Sequence, residues 1–156
     1  MKLVSHLQAV LLVLGAASAV PGHAQTTCTT SSLSGDYSIR IVGAIVAGPV
    51  AGPVNGVNLT HFDGAGNLTS VDHVVIGGAS SAPVDWRPGV GTYTVNSNCT
   101  GQASFVYPDG KSPGLSYFFV LTQAGGTSPV YGLQFNQMEI VVSTPGFNIN
   151  AVGTKL

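Results

Sequence analysis

The chain has 156 residues, with five Lys and Arg against six Asp and Glu, a formal net charge of −1. Charged residues make up 7% of it, far below the roughly 25% of an average soluble protein. No cluster of Lys and Arg offers the positive surface that a phosphate backbone requires, which argues against nucleic acid as a partner. A solvated surface must then come from Ser, Thr, Asn, Gln and Gly, and weak charge repulsion between copies leaves self-association open.

The opening, MKLVSHLQAVLLVLGAASAVPGHAQ, has the three parts of a secretory signal: Lys2, the apolar run from Ala9 to Val20, and the small residues Gly22 and Ala24 flanking His23. The run is too short for a helical membrane span, which needs roughly 20 apolar residues. The expected organisation is a signal peptide over residues 1–24 and a single domain over 25–156, secreted or periplasmic, with no stable membrane span after cleavage. The two cysteines, Cys28 and Cys99, then leave the reducing cytoplasm together, and an even count in an exported chain favours a disulfide between them.

Beyond the signal no helical period appears. Short runs rich in Val, Ile, Thr, Tyr and Phe recur between Gly, Pro and Asn clusters, which is the pattern of an all-β sandwich or barrel. In chain order the strands are expected near 36–46, 55–62, 68–77, 90–96, 101–107, 115–123, 131–142 and 147–155. Most connections are short enough to join antiparallel neighbours. Eight such strands can close into an up-and-down barrel, which removes exposed edges. Pro49-Val-Ala-Gly-Pro53 reads as a long first loop at a barrel mouth.

The stretch HFDGAGNLTS, residues 61–70, looks most like a functional motif. As a calcium loop counted from Asp63 it has Ala65 at the third position, Leu68 at the sixth and Val74 at the twelfth, where an oxygen ligand, a glycine and a carboxylate are needed. As a hairpin it needs only what it has: strand-like flanks, and Gly64, Gly66 and Asn67 to accept positive φ. No metal is expected there. No cofactor motif, phosphate loop, nucleophile elbow or paired-cysteine metal site occurs elsewhere.

CTTSSLSGDY, FDGAGNLTS, GTYTVNSNCTGQASF and the closing EIVVSTPGFNINAVGTKL together resemble successive pieces of small exported bacterial proteins described as calycin-like or lipocalin-like. The opening matches at Cys28, Leu33, Gly35 and Tyr37. The resemblance covers nearly the whole mature chain and implies an eight-stranded antiparallel barrel. It carries turns and strand entries and transfers no catalytic residue.

Candidate site residues are few. With DGAGN closing a hairpin, Phe62 faces Leu68, His61 faces Thr69 and Val57 faces His73. His61 and His73 then share a face with Val57, Leu59, Val71 and Val75, and the more apolar face is expected inward. Four residues of ladder separate the two histidines by about 13 Å, too far for one metal ion, so they read as ligand-binding or proton-moving groups on the wall, or as rim residues. Trp86, in the longest polar connection, can grip a ligand or lid a cavity. Glu139 alternates with Val141 and Ser143 and is expected outside.

The leading expectation is a barrel that binds a small apolar or amphipathic molecule or serves a structural role at the envelope. An enzyme is less expected than a binder. The alternatives are a cyclase or isomerase acting in the cavity, similar to allene oxide cyclases, and an eight-stranded outer-membrane barrel.

Overall fold

The computed structural model describes residues 27–82, 84–110 and 112–156. The expected signal and the cut before Gln25 lie outside them. After a short 3-10 turn at Thr30–Ser32 come nine strands: β1 Ser34–Ile45, β2 Gly52–Asp63, β3 Asn67–Ile76, β4 Ala79–Ser80, β5 Arg87–Val95, β6 Thr100–Val106, β7 Leu115–Ser128, β8 Gly132–Val142 and β9 Phe147–Lys155. Each long strand pairs antiparallel with the next, and β9 returns to β1, so eight strands close into an up-and-down barrel. Only the two-residue β4 stands apart, folded back on the end of β3.

Closure follows from alternation. In β1 the chain sends Tyr37, Ile39 and Ile45 inward and Asp36, Ser38 and Arg40 outward. Tyr93, Ala103, Tyr117, Phe119, Met138 and Ile140 continue the inner wall on later strands. An interior of eight strands is narrow, and glycine makes room where rings cross it: a Cβ on Gly101 would sit 2.2 Å from the Phe119 ring. The β7–β8 ladder continues past the expected turn at AGGTSP by absorbing irregularities between Leu121 and Gly126. Bulging of this kind breaks strict alternation, and the consecutive residues Gln134 and Phe135 on β8 are both buried.

The two ends of the barrel differ. The N-terminal segment plugs one of them: Cys28 is bonded to Cys99 in the β5–β6 turn, and Leu33 is fully buried. The Leu33 carbonyl accepts a hydrogen bond from the Tyr93 hydroxyl at 2.6 Å. Ser34 Oγ donates to Gln134 Oε1 at 2.6 Å, and Gln134 Nε2 donates to the Ser31 carbonyl at 2.8 Å. The opposite end carries the β1–β2, β3–β5, β6–β7 and β8–β9 connections. Val50 and Ala51 of the first connection stand at this mouth, as the proline-flanked loop suggested.

Candidate functional site

The β2–β3 hairpin settles how the wall is made. Its ladder pairs Phe62 with Leu68, His61 with Thr69 and Val57 with His73, the expected register. The faces are the reverse of those expected. Phe62, Thr60, Asn58, Leu68, Ser70 and Asp72 are buried, whereas Val57 and Leu59 are 49% and 42% exposed. The interior placement expected of His61 and His73 is therefore corrected: both stand on the outside of the sheet.

There His61 Nδ1 lies 2.7 Å from Asp36 Oδ1, in a pair whose side chains are both more than half exposed. His73 Nδ1 donates to the Asp85 carbonyl, and its ring lies edge-on to Trp86 at 6.2 Å. Trp86 itself is 56% exposed. None of the three lines the cavity inside the barrel. Glu139 points outward with Val141, as alternation predicts.

The turn at 64–66 uses Asp63 as its closure. Asp63 Oδ1 accepts from the Ala65 and Asn67 amides at 2.7 and 2.9 Å, and Oδ2 accepts from Asn67 Nδ2 at 2.6 Å. Those bonds to the ionised form hold the Asp63 carboxyl down at about 2. Gly64 and Gly66 take φ of 76° and 106°, the conformation a side chain would strain.

Above the plug the barrel opens into a cavity of about 490 Å³, within the range of small-molecule sites. Most of its wall is apolar: Ile41, Ile45, Val54, Ile149 and Val142 towards the mouth, Ile140 and Ala151 deeper. One strip is polar, and the register assembles it. Asn58 pairs with Asp72 and Thr60 with Ser70 across β2 and β3, and Asp72 pairs with Arg87 across β3 and β5.

Arg87 grips Asp72 with two nitrogens, Nε to Oδ1 at 3.0 Å and Nη2 to Oδ2 at 3.1 Å. Nη2 also donates to the Tyr107 hydroxyl at 2.8 Å, which donates in turn to Asp72 Oδ2 at 2.7 Å. Arg87 Nη1 donates to Ser112 Oγ, and that hydroxyl donates to Asp109 Oδ2 at 3.0 Å. The side chains of Asp72 and Arg87 are 3% and 11% exposed, so the paired form offsets a desolvation cost that neither ion could bear alone. Burial, then the neighbouring Asp72 carboxylate, pushes the Tyr107 hydroxyl far above its ordinary value and keeps it neutral.

Ser70 is the exception in this network. Its hydroxyl is buried, lines the cavity and has no hydrogen-bond partner among the described residues. Across β2, Thr60 Oγ1 already donates to Asn58 Oδ1. Across β5 the opposite residue is Gly89, which has no side chain, and a Cβ there would stand 2.7 Å from Ser70 Oγ. A buried hydroxyl left without a partner costs about 1–3 kcal/mol.

Sequence reasoning did not find this strip, because Arg87 reads as part of a polar loop and the apolar majority on the other face of the hairpin points the wrong way. A usable signal was present in the bulky pair Phe62 and Leu68 beside the turn, whose burial fixes Thr60, Asn58, Ser70 and Asp72 inside.

Among the described residues, no three His, Cys, Asp or Glu side chains are placed to share a metal ion. No helix there is long and apolar enough to cross a membrane, which says nothing of strands. No family model matches the chain, and neither a curated protein nor a solved structure matches it. The structure thus defines a class, a small disulfide-tied up-and-down β-barrel. The likeness to calycin-like exported proteins stays a likeness of motifs.

Proposed function

We propose that the protein is an exported binder that holds one small amphipathic molecule in the barrel, its apolar body against the isoleucine-lined wall and its polar end at the Asn58–Ser70–Asp72 strip. The observation that carries this reading is the cavity itself, whose lining is apolar on most of its circumference and polar along one strip. Ligand sites commonly combine apolar bulk with a few placed polar groups, whereas a barrel of structural purpose has no need of a cavity this size. The disulfide suits an oxidising compartment. Thr92, Thr94, Gln102, Ser104, Asn148 and Asn150 on the outer face support an aqueous exterior over a lipid-facing one.

The cyclase or isomerase alternative drew on His61, His73 or tyrosines inside the cavity; both histidines lie on the outer face, and Tyr107, which does line the cavity, is held between Arg87 and Asp72. Binding is the reading favoured here.

Val74 lines the cavity on β3, and replacing it by Trp fills space that a ligand would use. A neutral naphthylamine dye should gain fluorescence in the native protein with one saturable site, and V74W should lose most of that gain while keeping its far-ultraviolet circular dichroism. Equal dye uptake by folded V74W would place the dye elsewhere and count against the proposal.

A further inference from the structure

We infer that the site selects an uncharged, oxygen-bearing head group, an alcohol or a carbonyl, and rejects carboxylates, with Ser70 as the residue that meets the head. The inference rests on the binding reading above and adds the chemistry of the ligand to it.

Charge decides half of the argument. An arginine inside an apolar cavity suggests at first an acid-binding site, since a guanidinium matches a carboxylate in a two-point grip. In this barrel that grip is already taken. Asp72 occupies Nε and Nη2 of Arg87, Tyr107 takes a further Nη2 hydrogen, and Ser112, itself held by the Asp109 carboxylate, takes Nη1. The Asp72 carboxylate is therefore the counter-ion that the guanidinium already holds. An acid head entering here would bring a further negative charge beside a buried ion pair, with the Asp72 carboxylate already seated where it would bind. Burying an ion without a free counter-ion is strongly unfavourable, so the cluster acts against acids.

The orphan hydroxyl supplies the other half. Ser70 is more than nine-tenths buried, aimed into the cavity and without a partner among the described residues. A hydroxyl can donate to a carbonyl oxygen or pair in either sense with an alcohol. Two neighbours keep the position unpartnered: the Thr60 proton is committed to Asn58, and Gly89 presents no side chain. Asn58, on the same strip, also lines the cavity. Ser70 lies two residues deeper along β3 than Asp72, nearer the plugged end. The head consequently goes in first, and the apolar body runs past Ile41, Val54, Ile45 and Ile149 towards the mouth.

The test compares three probes of equal chain length, decanol, decanoate and decane, titrated at neutral pH into the intact disulfide-bonded protein and into its S70A variant. Serine to alanine at this position removes only an unpaired hydroxyl, so the variant should fold at least as stably as the parent. The expected result is decanol bound at least about tenfold more tightly than decanoate. In S70A, decanol should weaken roughly five- to tenfold, the measure of one lost neutral hydrogen bond, with decane unchanged. Decanoate binding as tightly as decanol, or decanol affinity indifferent to S70A, overturns the head-group inference while the binding reading stands if decane or decanol still occupies the cavity. If none of the three binds, both fall. A second variant, D72N, frees the guanidinium and should move the preference towards decanoate where it folds; an unchanged preference in folded D72N would contradict the charge argument separately.

Discussion

Asp63 and Asp72 lie nine positions apart in one hairpin and do different work. Asp63 sits at the surface, where its oxygens close a turn by accepting from Ala65 and Asn67. Asp72 sits inside, where its oxygens hold a guanidinium and a phenol. The first makes a pH prediction. With the folded carboxyl at about 2 and the ordinary value at 3.8, the group is depressed on folding, so its contribution is fully present above about pH 4 and is lost as the pH falls through about 2. Thermal melts of the parent and of Asp63→Ala should differ at neutral pH and converge between about pH 4 and pH 2. A gap that stays constant over that interval would mean that the carboxylate is not what closes the turn.

At the scale of elements, the plug is the feature whose energetics can be separated from the barrel. The segment before β1 lies across the end where β5 meets β6, and the Cys28–Cys99 bond joins points 71 residues apart. In the chain-entropy model a loop of that length stabilises the fold by roughly 4 kcal/mol. Reduction should lower the melting temperature clearly and loosen the Thr30–Ser32 turn first, seen as faster amide exchange at Leu33 than at Phe119. An unchanged melting temperature with both thiols free would show that the barrel does not depend on the tie.

The strands, the bridge and the hairpin register were legible in the sequence because each rests on local chemistry: β-branched runs between Gly and Pro, an even cysteine count, and a glycine-rich turn with apolar flanks. Which face of the hairpin turned inward was not. A barrel that keeps a polar strip inside and Val57, Leu59 and Val71 outside inverts the rule that the more apolar face is buried. The deciding contacts, Asp72 with Arg87 and Tyr107, span 15 and 35 residues and exist only once β3, β5 and β6 lie side by side.

For the whole molecule, closure, plug and cavity form one arrangement. Closing eight strands removes the edges, the N-terminal segment seals one end, and the remaining interior is divided between packed rings near the plug and open space near the mouth. Tyr37, Tyr93 and Tyr117 belong to the packed part, and burial raises all three hydroxyls above their ordinary value, Tyr93 to about 12. The Asn58–Ser70–Asp72 strip is then the polar feature that a ligand meets. The claim that this space holds a molecule is tested most directly by mass spectrometry of the small molecules released from protein purified out of its own host. A reproducible neutral amphiphile at close to one per protein molecule is expected, missing from V74W prepared in parallel. A clean blank from the parent protein, or the same molecules recovered equally from folded V74W, would contradict it.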